Sequence, residues 1–531
     1  MKTVKWANGS MAANRVVVRD TRIYLYAAIA ITVLSIAYWA MYVVNAYGTF
    51  HDYEGIGIPA YGMFYDVHYV YEMSPLQMFV YGNHLAPDQV FLLVPYFFIQ
   101  SPLTLLIAQD IILSATGLLV FFVARDLLRS DGLGLMLCFA YLANPGMHGM
   151  LIFDYHEEYL IVPFYILTFY YYMKLNKPMF YISSALLLGA MDIAPIIAAS
   201  LAVGLAAYEY IVDKNQRTRG ERLRLSAILI IGCIAVLAVY NLMYFSLNGS
   251  YAKNPNFPTL LELQTVPLVP YNGVGAPGGE NNMQQYALMS GSWPEYYTLL
   301  CYGIGVGLLG SGPAVLFAPV PAIIMASPWL AELLVFGNSD FASVFIEYFS
   351  FVIGAMIAAA ILGFMSIMSR DTHRKAGRTG MLMPIMISIT LSITVLLAIV
   401  SPFASLSLNV TNISQSFLFK VAPSQQAYYS QLDWVIAKVP SNASLMTQGF
   451  IMPHVLDRQY FELLGEHVYF QPKYILVDFN TNVSLVWNGG AITDAFQNYT
   501  SQHPYELVAQ NGTARLYEEI QGFNATGIGM P

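Results

Sequence analysis

The chain is a series of long apolar stretches separated by short polar segments. Eleven stretches have spanning or near-spanning length, and they cover residues 23–44, 103–124, 133–152, 158–173, 178–191, 194–212, 226–247, 296–309, 314–329, 343–368 and 381–402. A straight helix needs about 20 apolar residues to cross a bilayer, so the shortest stretches must be tilted, broken or buried. The pattern predicts a polytopic α-helical membrane protein with about 11 spans, the first of them a retained anchor.

One polar cluster interrupts this pattern, Phe153-Asp154-Tyr155-His156-Glu157-Glu158, between two of the apolar stretches. Three carboxylates around a histidine are costly inside a bilayer, so we expect the cluster at a helix end that faces water or a cavity. Ionisable groups in such places are candidates for function. The alternative is a plain polar loop between two helices.

Composition agrees with a membrane protein and excludes several other classes. The chain is 57% hydrophobic and 11% charged, with a mean hydropathy of +0.53, far from the averages of soluble domains. Its three cysteines, Cys138, Cys233 and Cys301, fall in apolar stretches and indicate core packing, not a disulfide or metal framework. The net charge of −8 is unevenly distributed, and no basic patch for nucleic acid is present in the sequence.

Lysine and arginine residues predict the orientation in a plasma membrane. With alternating spans, 18 of the 24 basic residues fall on one side, in the N-terminus and in the loops at 125–129, 174–177, 214–224 and 370–378. Basic residues favour the cytoplasmic side, so the N-terminus is predicted to be cytoplasmic. The external face then receives the loop 45–102, which contains an amphipathic or re-entrant piece at 89–99, and the loop 248–295.

The last segment, 403–531, is predicted to be a separate extracytoplasmic α/β domain that follows a transmembrane domain of residues 1–402. Residues 425–438 have helical spacing, Tyr474-Ile475-Leu476-Val477 is typical of a buried strand, and Asn511-Gly512 is typical of a hairpin turn. Seven glycosylation sequons support an external, glycosylated surface, at Asn409, Asn412, Asn442, Asn482, Asn498, Asn511 and Asn524.

Several short motifs resemble those of a widespread prokaryotic family of polytopic membrane proteins of unknown function. The motifs are Asn83-His84-Leu85-Ala86-Pro87, Ser101-Pro102-Leu103-Thr104-Leu105-Leu106, the cluster 153–158, Pro453-His454-Val455-Leu456-Asp457-Arg458 and Tyr474-Ile475-Leu476-Val477-Asp478. The resemblance covers about residues 50 to 480.

That family is similar in organisation to the GT-C glycosyltransferases, which have many spans, a large first external loop and an external C-terminal domain. The resemblance implies an inverting transfer from a sugar donor carried on a polyprenyl phosphate, with an acidic residue of the first loop in the active site. The partners it implies are the lipid bilayer, the polyprenyl-phosphate sugar and an unknown acceptor.

The candidate site residues follow from this resemblance and from the polar clusters. Asp52 is the first choice for the base because it follows the first span, with Glu54 and Asp66 as substitutes; the alternative for Asp52 is a solvated loop acid. The candidates for substrate binding are His84, Asp154, His156, Glu157 and Asp192. A divalent metal (Mg, Mn or Zn) is the one cofactor considered, with Asp52, Asp154 and His156 as its ligands.

Two departures from the family pattern keep other functions open. A Lys-Glu-Asp triplet of the family is Ala190-Met191-Asp192 here, and a His-Tyr pair is Glu347-Tyr348. Loss of both basic groups weakens the case for phosphate handling and makes a divergent or inactive member plausible. The alternative function is non-catalytic membrane transport or cell-surface assembly. A transporter should carry ionisable groups near the bilayer midplane, whereas the charges here gather at one face.

Overall fold

The computed structural model describes residues 22–48, 60–64, 86–152, 155–211, 216–248, 304–307, 310–334, 349–373, 382–399, 423–458, 460–464, 471–480 and 492–520. The apolar part is helical, as predicted. Its helices are α1 (Arg22–Gly48), α2 (Leu93–Phe98), α3 (Pro102–Leu128), α4 (Asp131–Leu142), α5 (Pro145–Ile152), α6 (Ile161–Lys174), α7 (Lys177–Gly189), α8 (Ala194–Ile211), α9 (Gln216–Asn248), α10 (Pro319–Leu334), α11 (Ser350–His373) and α12 (Leu382–Ile399). Short 3₁₀ helices cover Pro87–Leu92, Glu157–Leu160 and Pro313–Phe317.

The predicted number of spans is not confirmed. Within the described residues, five helices are long and apolar enough to cross a membrane, and they lie in α1, α3, α8, α9 and α11. A sixth results if α4 and α5, which meet at a bend of 46°, count as one broken span. Helices α6 and α7 have 14 and 13 residues. Such helices are about 20 Å long, shorter than the roughly 30 Å hydrocarbon core.

Short polar turns connect successive helices and set their ends. The hydroxyl of Ser101 accepts a hydrogen bond from the amide of Leu103 at the start of α3, and Ser130 caps α4 in the same way. Side-chain oxygens at these positions satisfy amides that have no partner within the helix. Between α3 and α4, Arg129 has a φ of 51°, a left-handed conformation that ends α3 and reverses the chain.

Helix α11 is the most enclosed of the candidate spans, since 89% of the residues in its most apolar stretch are buried. Its sequence is rich in small residues, and it packs against α6, α10 and the 3₁₀ helix Pro313–Phe317. At Gly363 a β-carbon would collide with the carbonyl group of Ala314, and at Gly354 it would press on the ring of Tyr165. Small residues therefore allow the close helix contacts on which packing in membranes depends.

One end of the helix bundle is held by ion pairs. Lys174 at the end of α6 lies 2.8 Å from the carboxylate of Asp126 in α3. Arg222 of α9 donates to the Glu209 carboxylate of α8 at 2.8 Å and to the carbonyl oxygen of Met173 at 3.1 Å. The ends of α3, α6 and α8 therefore meet, and their beginnings lie at the opposite end of the bundle. Which end faces the cytoplasm stays a prediction.

The C-terminal part contains a five-stranded sheet, built from β1 (Leu445–Thr447), β2 (Phe461–Leu463), β3 (Tyr474–Asp478), β4 (Tyr505–Asn511) and β5 (Ala514–Glu519), with helices α13 (Pro423–Ile436) and α14 (Ile492–Thr500). The strand order is β2-β1-β3-β5-β4. Strands β2, β1 and β3 are parallel, and β5 and β4 are antiparallel additions. The predicted strand at Tyr474 and the predicted hairpin at Asn511-Gly512 are both confirmed, and Gly512 supplies the positive φ, 60°. The division at residue 402 stays a prediction.

Aromatic contacts join this sheet domain to the end of α1. The hydroxyl of Tyr47 donates to the carbonyl oxygen of Pro453 at 2.9 Å, and its ring stacks on His454 with centroids 4.5 Å apart. Burial lowers the pKa of His454 to about 4, so the imidazole is neutral at neutral pH. The ring of Tyr61 lies 5.6 Å from that of Phe461 in β2. The start of α1 lies beside the ion-paired end, because the ring of Tyr24 is 3.9 Å from where a β-carbon on Gly132 would be, at the start of α4. The sheet domain therefore sits at the end of the bundle opposite the ion pairs.

The Glu209–Arg222 pair is expected to be the costliest of these ion pairs to break. Its side chains are 0% and 13% exposed, so Glu209→Gln leaves a buried guanidinium without its charge partner. We expect a loss of about 3 kcal/mol in the free energy of unfolding, measured by thermal unfolding in detergent.

The matched control is Glu221→Gln, which breaks the pair with Lys177, whose side chains are 50% and 49% exposed. We expect it to cost less than about 1 kcal/mol because exposed pairs are screened by water. Equal losses in the two variants would contradict a special role for the buried pair.

Candidate functional site

The structure describes three of the residues that the sequence predicts for the site: His156, Glu157 and Asp192. Asp52, Glu54, Asp66, His84 and Asp154 lie outside the described residues, so their roles stay predictions. Among the described residues, no group of three or more His, Cys, Asp or Glu side chains is placed to hold a metal ion. Because two of the three predicted ligands lie outside that set, the metal site is untested.

One side chain, Gln109 of α3, binds both the end of α5 and the backbone of His156. Its amide nitrogen donates to the carbonyl oxygen of Met150 at 2.9 Å, at the end of α5. Its amide oxygen accepts from the backbone amide of His156 at 3.1 Å. Gln109 is 3% exposed. A single buried amide thus satisfies one backbone group at the end of α5 and one within the polar cluster.

The acidic pair of the cluster is buried, not displayed in a loop. Glu157 and Glu158 are 8% and 2% exposed and begin the 3₁₀ helix that leads into α6. Both carboxylates act electrostatically on the phenol of Tyr155. The ring of Tyr155 meets that of Tyr159 edge-on, with centroids 5.7 Å apart. Carboxylates packed beside phenols can bind a ligand rich in hydroxyl groups, and the plain-loop alternative does not account for their burial.

A second acidic group includes a carboxylate that the sequence analysis did not select, Asp88. It lies in the 3₁₀ helix Pro87–Leu92 and is 8% exposed. Its Oδ1 lies only 2.6 Å from where a β-carbon on Gly189 would be, at the end of α7. Its Oδ2 has no hydrogen-bond partner among the described residues. The bare backbone of Gly189 is what leaves room for this carboxyl group.

Asp192 lies in the break between α7 and α8, close to the same place. The hydroxyl of Tyr240 in α9 donates to the carbonyl oxygen of Leu188 at 2.9 Å, and both Asp88 and Asp192 act on it electrostatically. Asp192 is 5% exposed. The structure therefore brings two buried carboxyl groups and a phenol together around a helix break.

Burial raises the pKa of Asp88 to about 7, because removal from water penalises its charged form. A carboxyl group with such a pKa is partly ionised at neutral pH and can both accept and return a proton. This property distinguishes Asp88 from an ordinary solvated loop acid.

The two acidic groups lie at the same end of the bundle. Pro87–Leu92 precedes α3, Glu157–Leu160 leads into α6, and Asp192 immediately precedes α8. The far ends of these three helices meet at the ion pairs, so their beginnings share the other end. This is also the end that carries the sheet domain.

The sequence contained a signal for Asp88. Asp88, Leu92 and Tyr96 are buried at a spacing of four residues, within a segment in which Asp88 is the only charged residue from 87 to 99. A lone carboxylate in phase with the buried side of an apolar helix is a candidate for function. Asp52 was chosen because it follows the first span, and that argument does not consider the spacing of buried residues along a helix.

The variant Asp88→Asn tests the buried carboxyl group. Because the folded pKa is about 7 and the ordinary value is 3.8, the group contributes stability below about pH 4 and that contribution is lost as the pH rises to about 7. The variant should lack this loss, which amounts to about 4 kcal/mol, and should be the more stable protein at pH 8. Thermal unfolding in detergent between pH 4 and pH 8 measures the difference.

The control is Asp494→Asn, since Asp494 is an exposed carboxylate of α14. Its stability should change with pH as that of the wild type does. Both curves include the contribution of His454, which increases stability as the pH rises from about 4 to the ordinary pKa of histidine, 6.5. Parallel curves for wild type and Asp88→Asn would show that Asp88 is solvated.

Comparison with known proteins gives a family for this chain. No curated protein matches it. A family model described as "Predicted membrane protein (DUF2079)" matches residues 60–506, most of the chain, and includes both acidic groups and the strands β1, β2 and β3. The match agrees with the resemblance inferred from the motifs and carries no statement of activity. The chain therefore belongs to the DUF2079 family of membrane proteins.

Proposed function

We propose that the protein is a membrane glycosyltransferase of GT-C-like organisation that uses a polyprenyl-phosphate-linked sugar at the external face of the plasma membrane. The observation that carries the proposal is Asp88, a buried carboxyl group with a pKa near neutrality, in a group with Asp192 at a helix break. A buried proton acceptor at the membrane boundary is what transfer from a lipid-linked donor requires.

The proposed reaction transfers one proton to the protein and releases one leaving group, the polyprenyl phosphate. The ionised carboxylate of Asp88, or of Asp52 as first predicted, takes the proton of the acceptor hydroxyl or amide. The acceptor atom then bonds to the anomeric carbon of the donor as the bond from that carbon to the phosphate oxygen breaks, which inverts the configuration. The electron pair leaves with the polyprenyl phosphate. Water excluded from the Asp88 surroundings strengthens the interaction with the developing charge.

The remaining predicted residues take supporting roles in this proposal. Glu157 and His156, with His84, Asp154 and Asp192, would bind sugar hydroxyl groups or position the phosphate. A divalent Mg, Mn or Zn ion bound by Asp52, Asp154 and His156 would neutralise the leaving phosphate and replace the basic groups that this chain lacks.

The orientation in this proposal places the ion-paired end of the bundle in the cytoplasm. That end carries Arg125, Lys174, Lys177 and Arg222, and basic residues near spans favour the cytoplasmic side. The acidic groups and the sheet domain, at the other end, would then be extracytoplasmic, where the sequons of the tail could be modified.

Consumption of donor by purified protein in lipid nanodiscs tests this function. Wild type, given a radiolabelled polyprenyl-phosphate sugar and an extract of membrane acceptors, should release polyprenyl phosphate. Asp88→Asn should lose about 100-fold or more of that rate, since it removes the proton acceptor, while still binding the donor.

Asp494→Asn, the exposed control, should keep the wild-type rate. The reaction assigned to Asp88 is wrong if Asp88→Asn also keeps it. The enzyme reading as a whole fails if wild type and all variants bind no lipid-linked sugar.

One observation favours the second candidate function, transport. Asp110 lies inside α3 and is fully buried. Its Oδ1 accepts from the hydroxyl of Ser114 at 3.2 Å, which lies 3.0 Å from the hydroxyl of Ser35 in α1. Its Oδ2 has no partner among the described residues. Charged groups within spans often mark ion or proton pathways, and this one is not at the external face.

Proteoliposomes with an imposed pH gradient test the transport function. A transporter that uses Asp110 should dissipate the gradient faster than empty liposomes, and Asp110→Asn should slow it about tenfold or more because the amide cannot ionise. Ser114→Ala, which removes the hydrogen bond and keeps the carboxyl group, is the matched control. Rates equal to those of empty liposomes would exclude proton transport.

A further inference from the structure

The segment from Pro87 to Ile99 presents an apolar surface that nothing in the described protein covers. The exposed side chains form what we name the apolar ridge: Val90, Phe91, Val94, Phe97, Phe98 and Ile99. Phe98 is 78% exposed, the highest value among the exposed large hydrophobic side chains of the described residues. A contiguous exposed patch of this kind marks contact with a membrane or another protein.

The opposite side of the segment is bound to the protein at two places. The hydroxyl of Tyr96 donates to the carbonyl oxygen of Ala60 at 3.0 Å, and Asp88 lies against Gly189. Leu92, between them, is buried. The segment is thus inverted relative to a surface helix of a soluble protein, because its polar group faces inward and its apolar groups face outward.

The position along the chain places the ridge at the membrane boundary. The candidate span α3 begins at Pro102, three residues after Ile99. The segment has 13 residues, too few for a helix that spans a hydrocarbon core of roughly 30 Å. No charged residue occurs between Asp88 and Asp110, and the ridge is rich in phenylalanine. The helix that follows, α3, also exposes apolar side chains, at Ile111 and Phe122.

We propose that the apolar ridge lies in the leaflet of the bilayer that α3 enters at Pro102, in contact with the acyl chains, as an interfacial helix. The absence of charge argues for lipid over an aqueous protein partner, and the continuity with α3 fixes which leaflet it enters. An apolar helical face of this size inserts about 5–10 Å below the headgroups. The inference depends on the membrane alone and not on glycosyl transfer.

The leaflet contact has a consequence for the acidic site. Insertion of the ridge holds the whole segment in place from the outside, while Tyr96 and Asp88 hold it from the inside. Asp88 is therefore kept in a water-poor position by the bilayer as well as by the protein. Loss of the ridge contact is expected to admit water to Asp88.

Depth-dependent quenching tests the proposal. Phe98→Cys is placed in a full-length background in which Cys138, Cys233 and Cys301 are replaced by alanine, labelled with bimane and reconstituted in nanodiscs that contain doxyl lipids. We expect quenching by about twofold, stronger for a doxyl group near the headgroup than for one at the chain end, because the ridge lies near the interface.

The matched control is Ser501→Cys in the same background, an exposed position of the sheet domain. It should show no depth-dependent quenching. If the label at position 98 is not quenched by either lipid, the ridge does not contact acyl chains. The label at position 98 could instead be quenched by the label of a second copy, with light scattering showing a dimer. In that case the ridge is a protein interface and the proposal is wrong.

A second variant separates membrane contact from a folding defect. Phe97→Ser with Phe98→Ser changes only exposed side chains, so the protein should keep its fold. In nanodiscs, the pH range over which Asp88→Asn changes the thermal stability should lie about one unit lower when both serines are present, since water then reaches the carboxyl group. An unchanged range would show that the ridge has no influence on Asp88. Because neither test uses a sugar donor, both are independent of the proposed enzyme activity.

Discussion

A backbone that enters a bilayer has to find its hydrogen-bond partners inside the protein, and Gln109 meets that need where the helices of this protein break. The chain leaves the helical pattern at Ile152 and resumes it at Glu157. One buried amide binds the backbone on both sides, at Met150 and at His156. Without it, the buried carbonyl group of Met150 would lose a partner at a cost of about 1–3 kcal/mol, and the half-buried amide of His156 would lose one as well. The acidic pair that follows depends on this support for its position.

The same constraint explains why polar chemistry collects at helix breaks. Where α7 ends, the carbonyl oxygen of Leu188 receives the hydroxyl of Tyr240, and the bare Gly189 next to it admits Asp88. A helix that ended in solvent would need neither. Because the break is buried, each group has to be matched by a side chain from another helix, and the result is a compact polar site in an apolar protein.

Apolar periodicity predicted the helical fold well because burial in lipid and burial in protein both select the same residues. For the same reason, apolar periodicity does not distinguish a helix that spans the membrane from a shorter helix buried in the protein. The residues of α6 and α7 are apolar because neighbouring helices enclose them, α11 in the case of α6 and α8 in the case of α7. Enclosure by protein does not require a length of about 20 residues. In the sheet domain, the long strand β3 and the glycine turn were predictable, whereas β1 and β2 have three residues each. Strands that short have no recognisable alternation, so only the pairing of β1 with β3 and of β2 with β1 defines them.

Part of the site could be predicted and part could not. Glu157 and Asp192 are polar residues at the ends of apolar stretches, a pattern visible in one sequence, and the structure places both in buried surroundings. A lone carboxylate in an apolar segment marks Asp88 in the sequence, but its neighbours Gly189 and Tyr240 are about 100 and 150 residues away along the chain. Contacts over such separations depend on how helices pack, and periodicity carries no information on that.

Asp88 supports the proposal of an enzyme, and Asp110 supports the alternative of a transporter. The prediction of an enzyme assumed that charges gather at one face of the membrane, and Asp88, Glu157 and Asp192 lie toward one end of the bundle. Asp110 does not, because it is enclosed in the candidate span α3. There it accepts a hydrogen bond from Ser114, whose hydroxyl also contacts that of Ser35 in α1. Its next neighbour in sequence, however, is Gln109, the side chain that supports the acidic pair. A neutral carboxylic acid at 110 that anchors α3 to α1 would hold Gln109 in place and serve the acidic site, while an ionisable one would define a separate pathway. The protonation of Asp110 therefore distinguishes a structural support of one external site from a second function within the membrane.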